Sequence, residues 1–157
     1  MTEMGSPDFG PVQNNVFFNA TRGTARGIHA ESWDQYISVV TGSVLGVWVD
    51  LRHGSTFGAV FTAVVDLSIA VFVPRGVGNA FQSLEDNTAY TFLASDHWSA
   101  EAQVQYTFLN PADEAVAIDW PITLDQAELS AKVRACPRLV DVIPMAPARS
   151  LVLGATG

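Results

Sequence analysis

The stretch Gln35-Tyr36-Ile37-Ser38-Val39-Val40-Thr41-Gly42-Ser43-Val44-Leu45-Gly46-Val47-Trp48-Val49-Asp50 decides the fold class. Two runs of β-branched and aromatic residues flank Thr41-Gly42. Such side chains suit a pleated surface, and glycine between two such runs supplies a turn. Ser38 to Val49 therefore reads as a hairpin. Strand alternation then groups Gln35, Ile37 and Val39 on one face, and Gly46, Trp48 and Asp50 on one face.

Similar short runs lie on either side: Val16-Phe17-Phe18, Phe57 to Val65, Ala70 to Val73, Asn79 to Leu84 and Thr88 to Ala94. The breaks between runs are Arg22-Gly23, His53-Gly54-Ser55, Pro74-Arg75-Gly76 and Glu85-Asp86-Asn87. Many short strands with regular turn signals predict an all-β sandwich or barrel. No useful helical period appears before Leu124. Asp125 to Arg134 reads as a short C-terminal helix, with Asp125 near its start and Pro137 beyond its end.

With 157 residues, the chain suits one domain, and 48% apolar against 15% charged residues is the balance of a packed core. A net charge of −8 disfavours nonspecific binding to nucleic acid or to an anionic membrane. An anionic ligand would need a local basic spot, for which Arg22, Arg26, Arg52 and Arg75 are candidates. The lone Cys136 leaves no internal disulfide and suits a reducing cytosol. The opening residues carry no basic segment followed by an apolar run, so neither a secretory signal nor a membrane span is expected and a cytoplasmic location is.

Pro137 to Arg149 is proline-rich and reads as a linker. The last residues, Leu151-Val152-Leu153-Gly154-Ala155-Thr156-Gly157, resemble the start of a dinucleotide-binding βαβ unit without its third glycine or helix. The expected organisation is a barrel over residues 1–135, then a linker and the cut start of a second unit over 136–157.

Three histidines are available for chemistry. His53 lies in a turn and reads as a solvated loop residue. His97, in Asp96-His97-Trp98, reads as a capping or packing residue. His29 follows Arg26 by three, between the small residues Gly27 and Ala30. Its spacing alone favours a structural role. The sequence has no His-x-His pair and no His-x-x-x-His pair, so no metal site is expected. No cofactor is implied.

Seven short motifs occur in order: Pro11-Val12-Gln13-Asn14-Asn15, Thr24-Ala25-Arg26-Gly27-Ile28-His29, Val47-Trp48-Val49-Asp50-Leu51-Arg52, Thr56-Phe57-Gly58, Val73-Pro74-Arg75-Gly76, Ile118-Asp119-Trp120-Pro121 and Leu129-Ser130-Ala131-Lys132. Together they resemble the dTDP-4-dehydrorhamnose 3,5-epimerase family. The tail resembles a subgroup in which a reductase follows the epimerase.

The resemblance implies a cupin-type antiparallel β-barrel, or jelly roll, that acts without a metal on a nucleotide-linked 4-keto-6-deoxysugar as a homodimer. It implies that a histidine, oriented by an aspartate, removes protons beside the C4 ketone, that a tyrosine returns a proton from the other face, and that a lysine and an arginine assist. By position His29 is the base and Arg26 the arginine. The lysine position is Gln35, the tyrosine position is Phe92 with Tyr90 two residues earlier, and the aspartate position is Val133. Phe92 cannot donate a proton, Val133 cannot orient an imidazole, and Gln35 offers a hydrogen bond without a charge. The family's N-terminal strands, which help bind the nucleotide, have no counterpart ahead of Pro11. Gln35, Trp48, Asn79, Tyr90 and Phe92 are the substrate-binding candidates, with barrel lining as the alternative for Trp48, Asn79, Tyr90 and Phe92. A divergent isomerase or dehydratase and a non-catalytic binding or dimerisation barrel remain the other functional readings.

Overall fold

The computed structural model describes residues 9–146. Nine strands occur among the described residues: β1 (Gln13–Asn19), β2 (Ala25–Ala30), β3 (Gln35–Thr41), β4 (Val44–Asp50), β5 (Val60–Val65), β6 (Val71–Val73), β7 (Val77–Ser83), β8 (Thr88–Ala94) and β9 (Thr107–Phe108). They form two antiparallel sheets, one ordered β1-β8-β3-β6 and the other β5-β4-β7-β2-β9. The molecule is the all-β, cupin-type barrel expected, made of two sheets face to face.

The expected hairpin over residues 38–49 does not form. β3 pairs with β6 and β8, whereas β4 pairs with β5 and β7. The turn at Gly42-Ser43 is a corner that carries the chain from one sheet to the other. Gly42 sits at φ +76°, and a Cβ there would run into Thr88. A corner and a hairpin both recruit a left-handed glycine. The partner strands, which lie far along the chain, decide between them.

The alternation within β3 holds, since Gln35, Ile37 and Val39 are all buried. Ile37 and Val39 meet Val44 and Trp48 of β4, Phe81 of β7, and Tyr90 and Phe92 of β8 between the sheets. Trp48 folds back over Gly46, where a Cβ would collide with its indole. β4 is buried on its other face as well. There Val47, Val49 and Leu51 join Ile28 and Ala30 of β2 under Leu109, Val116 and Val142. A second core thus lies outside the β5-β4-β7-β2-β9 sheet, closed by the chain after β9. Burying a side chain such as Leu51 or Val49 contributes roughly 1.5–3 kcal/mol.

Part of the stretch read as a linker takes part in this second core. Leu139 and Met145 pack against it, and Arg52 and Met145 form an isolated bridge. The Gly-rich end, Leu151 to Gly157, lies outside the described residues.

The C-terminal helix is shorter than expected. Only α2 (Ala131–Arg134) is helical, and the Ser130 side chain accepts a hydrogen bond from Val133 N at its start. Residues 124–126 form a turn instead, and Glu128 O accepts a hydrogen bond from Ala25 N. That bond ties the segment to β2, and the Ser130 cap marks where the helix begins. A four-residue α1 (Ala100–Gln103), capped by Ser99, lies between β8 and β9.

Candidate active site

The strand that carries Arg26 and His29 is not visible as a strand pattern, because Gly27 interrupts it. In β2, Arg26 opposes Phe81 and His29 opposes Asn79, so three steps on β2 match two on β7. This is a β-bulge. It requires glycine: Gly27 has φ +110°, and a Cβ would lie 2.5 Å from Ala80 Cβ and 2.6 Å from Asn79 O. In a regular strand, residues three apart point to opposite faces. The bulge absorbs one residue, so Arg26, which is exposed, and His29, which is half-buried, line the same cavity.

His29 stands where two cavities meet. The first, about 310 Å³, is lined by Phe17, His29, Glu31, Trp33, Phe92, Tyr106 and Phe108, with Gln13, Asn15, Trp98 and Gln103. The second, about 410 Å³, is lined by Arg26, His29, Glu128, Ser130, Lys132, Val133 and Cys136, together with Phe17, Phe108 and the backbone around Gly27. No lysine or arginine lines the first, whereas Arg26 and Lys132 both line the second.

A carboxylate absent from the sequence reading sits beside the imidazole. His29 Nε2 lies 3.1 Å from Glu31 Oε1. Glu31 Oε2 accepts a 2.7 Å hydrogen bond from Gln35 Nε2 at the start of β3. Glu31 is 6% exposed, and His29 is about one-third exposed. The two residues are two apart along the chain, a spacing that puts both on one face of an extended segment. That spacing was the available signal.

Tyr106 is the second residue that sequence reasoning missed. Its ring lies parallel to the His29 ring, 6.1 Å away at 8°. Its hydroxyl is buried and has no hydrogen-bond partner. Burial and the nearby Glu31 charge push its ionisation well above the usual tyrosine range, so it keeps its proton. Trp33 packs edge-on against Tyr106, with its Nε1 also buried and unpartnered.

The sequence candidates divide into three groups. Phe92 lines the first cavity, stacked on Phe17 at 5.8 Å. Arg26 lines the second, with its guanidinium carbon 5.1 Å from the Phe17 ring centroid and its Nε 3.3 Å from Asn19 Oδ1. Gln35 touches neither cavity and holds Glu31 from below. Trp48, Asn79 and Tyr90 border neither cavity. Trp48 stacks on Phe61, and the Tyr90 hydroxyl donates to Asn79 Oδ1 at 3.2 Å and accepts from Asn79 Nδ2 at 3.0 Å. Complete burial pushes the Tyr90 hydroxyl above its ordinary range.

His53 and His97 are exposed and border neither cavity. Arg52 is tied to Asp50 by two side-chain hydrogen bonds of 2.9 and 2.7 Å, and Arg75 bonds Asp34. Arg22 Nε donates to Leu84 O, which leaves Arg26 as the arginine of the four that lines a cavity. No group of three or more His, Cys, Asp or Glu side chains that could hold a metal occurs among the described residues. None of the described helices is long and apolar enough to cross a membrane.

Two antiparallel sheets with a histidine–carboxylate pair beside their cavities define a cupin-type barrel with a candidate acid–base site. The family model for dTDP-4-dehydrorhamnose 3,5-epimerase matches residues 1–141. Over 139 residues the chain is 47% identical to the RmlC homolog of Streptococcus pyogenes serotype M6, covering 88% of this chain and 70% of that protein. Its structure matches RmlC from Streptococcus suis in complex with dTDP-D-xylose at TM-score 0.80 and 48% identity, over 85% of this chain and 69% of that one. With the dTDP-4-dehydrorhamnose 3,5-epimerase of Mycobacterium tuberculosis it shares 32% identity over 131 residues, 78% of this chain and 63% of that protein. The chain therefore belongs to the dTDP-4-dehydrorhamnose 3,5-epimerase family, whose members are sugar-nucleotide epimerases of deoxysugar biosynthesis. It spans 63–70% of the length of these three relatives.

Proposed function

We propose that this chain epimerises carbons beside the C4 ketone of a nucleotide-linked 4-keto-6-deoxyhexose, with His29 as the base. The observation that carries the reading is His29 held against a buried carboxylate in an aromatic-walled cavity. A base of this kind takes a proton from the carbon next to the ketone, and the electron pair moves onto the carbonyl oxygen as an enolate. Return of a proton to the opposite face inverts the carbon. Phe92 cannot supply that proton. Tyr106 is a protonated phenol in the same cavity and is the acid in this reading. Arg26 and Lys132, in the adjoining cavity, suit the anionic nucleotide portion of the substrate.

The same reading makes the protein a cytoplasmic homodimer. Val16, Phe18, Val40 and Leu93 are exposed on the outer face of the β1-β8-β3-β6 sheet and give a second copy an apolar surface to cover. Residues 1–135 form the body of the epimerase unit, with Leu139, Val142 and Met145 of the following stretch packed onto it.

Incubation with dTDP-4-keto-6-deoxyglucose in deuterated water tests the activity. Label at C3 and C5 is the expected result, and label at C3 alone marks a one-carbon epimerase. A sugar nucleotide that neither exchanges nor binds by calorimetry overturns the proposal. Binding without exchange favours a non-catalytic barrel, a second reading that rests on Gln35 and Phe92 at the positions where the resemblance implies lysine and tyrosine.

A further inference from the structure

We infer that Glu31 is the residue that positions His29, taking over the work of the aspartate whose place Val133 occupies. The inference deepens the epimerase reading and rests on it for its catalytic part. Val133 lines the second cavity and offers no hydrogen-bonding group to the imidazole. Glu31 reaches His29 from the same stretch of chain, just past the end of β2.

The carboxylate has two neighbours, one at each oxygen. Oε1 meets His29 Nε2 at 3.1 Å, and Oε2 accepts from Gln35 Nε2 at 2.7 Å. Gln35 is itself 3% exposed and fixed at the start of β3, so the carboxylate is clamped across the gap between the two sheets. An ionised carboxylate only accepts hydrogen bonds. His29 must then carry its proton on Nε2, which leaves the lone pair on Nδ1 as the site that receives the substrate proton. When Nδ1 gains that proton, the ring becomes an imidazolium beside a buried negative charge, and the pair is stabilised at the moment the enolate forms.

Gln35 fits this arrangement better than a lysine would. A lysine there would bring an ammonium to Oε2 and offset the negative charge beside His29. The amide holds Glu31 without neutralising it. The other charged or titratable groups lining the cavities at His29 are Arg26 on its own strand, Tyr106 before β9, Glu128, whose Oε2 accepts from Thr24 Oγ1, Lys132 of α2, whose Nζ lies 5.8 Å from the Phe108 ring centroid, and Cys136. The side-chain contacts of His29 include no second carboxylate among the described residues.

Nitrogen-15 shifts of the His29 ring, measured where the ring is neutral, test the assignment without any need for activity. The wild-type protein is expected to show the Nε2–H tautomer; a dominant Nδ1–H tautomer overturns the inference. In Glu31→Leu the acceptor is gone. A mixture of tautomers and a fall of about 10²-fold in exchange at unchanged sugar-nucleotide affinity are expected. Glu31→Gln keeps an acceptor but no charge, so it should retain the Nε2–H tautomer with an intermediate rate. Wild-type tautomer and wild-type rate in Glu31→Leu would sink the idea, since a merely structural role changes melting temperature and neither of these. If the wild-type protein fails to exchange, the epimerase reading falls while the ring spectra still decide whether Glu31 positions His29.

Discussion

The two cavities that meet at His29 are lined by different chemistry. The first holds a buried carboxylate, a protonated phenol and aromatic walls, without a lysine or arginine. The second holds Arg26 and Lys132, with Glu128 on the same lining. Proton transfer benefits from a place where one charge can be set by one neighbour. Recognition of an anion benefits from cations that reach solvent. In the proposed reading the two tasks fall to separate cavities, and the imidazole lines both.

The strongest way to break the comparison is at the junction itself. His29→Asn should cut deuterium exchange by about 10²–10⁴-fold while leaving the fold intact by circular dichroism. The next test concerns the first cavity alone. Tyr106→Phe should lower the exchange rate about 10²-fold at unchanged affinity, and a normal rate would remove Tyr106 as the acid.

A smaller effect is expected in the second cavity. Arg26→Ala should weaken sugar-nucleotide binding about tenfold, through loss of a charge-assisted hydrogen bond, with little change in the rate of bound substrate. Titration calorimetry at two salt concentrations checks it, because added salt should narrow the gap between wild type and variant.

The smallest effect lies outside both cavities. Asp50 is held down to about 2 by its hydrogen bonds from Arg52, with help from Thr56. Its ordinary value is 3.8, so the ionised form stabilises the fold above about pH 4, and that contribution is lost as pH falls toward 2. Because the Arg52 side chain is 37% exposed, solvent screening reduces the contribution to about 1–2 kcal/mol. Asp50→Asn should lower the melting temperature at pH 7, flatten its fall between pH 4 and 2, and leave substrate affinity alone.

Much of the architecture was legible because β-branched runs and turn residues report strands locally. β3, β4 and β8 follow from those runs. The hairpin expectation failed at Gly42 because a glycine reports the local backbone and not the sheet each flank joins. β2 was hidden for the same kind of reason, since the glycine needed for its bulge removes the strand signal. β9 is two residues long and carries no pattern at all.

The site divides in a similar way. Arg26 and His29 were legible through the ordered motifs around them. Glu31 was within reach of strand alternation, two residues past His29, but the family pattern directs attention to a carboxylate position far along the chain. Tyr106 could not be read, because a short connection after α1 sets its place. Trp48, Asn79 and Tyr90 follow strand alternation to the inside of the barrel, and there neighbouring rings and the Tyr90–Asn79 hydrogen bonds occupy them.

The second core, outside the β5-β4-β7-β2-β9 sheet, also bears on how the protein is made. Val47, Val49 and Leu51 emerge from the ribosome well before Leu109, Val116 and Val142, which cover them. Until those later residues arrive, the nascent chain carries a bare apolar sheet face of the kind that invites aggregation. Docking of residues 109–145 is therefore the step that ends this exposure, and chaperone demand should peak before it.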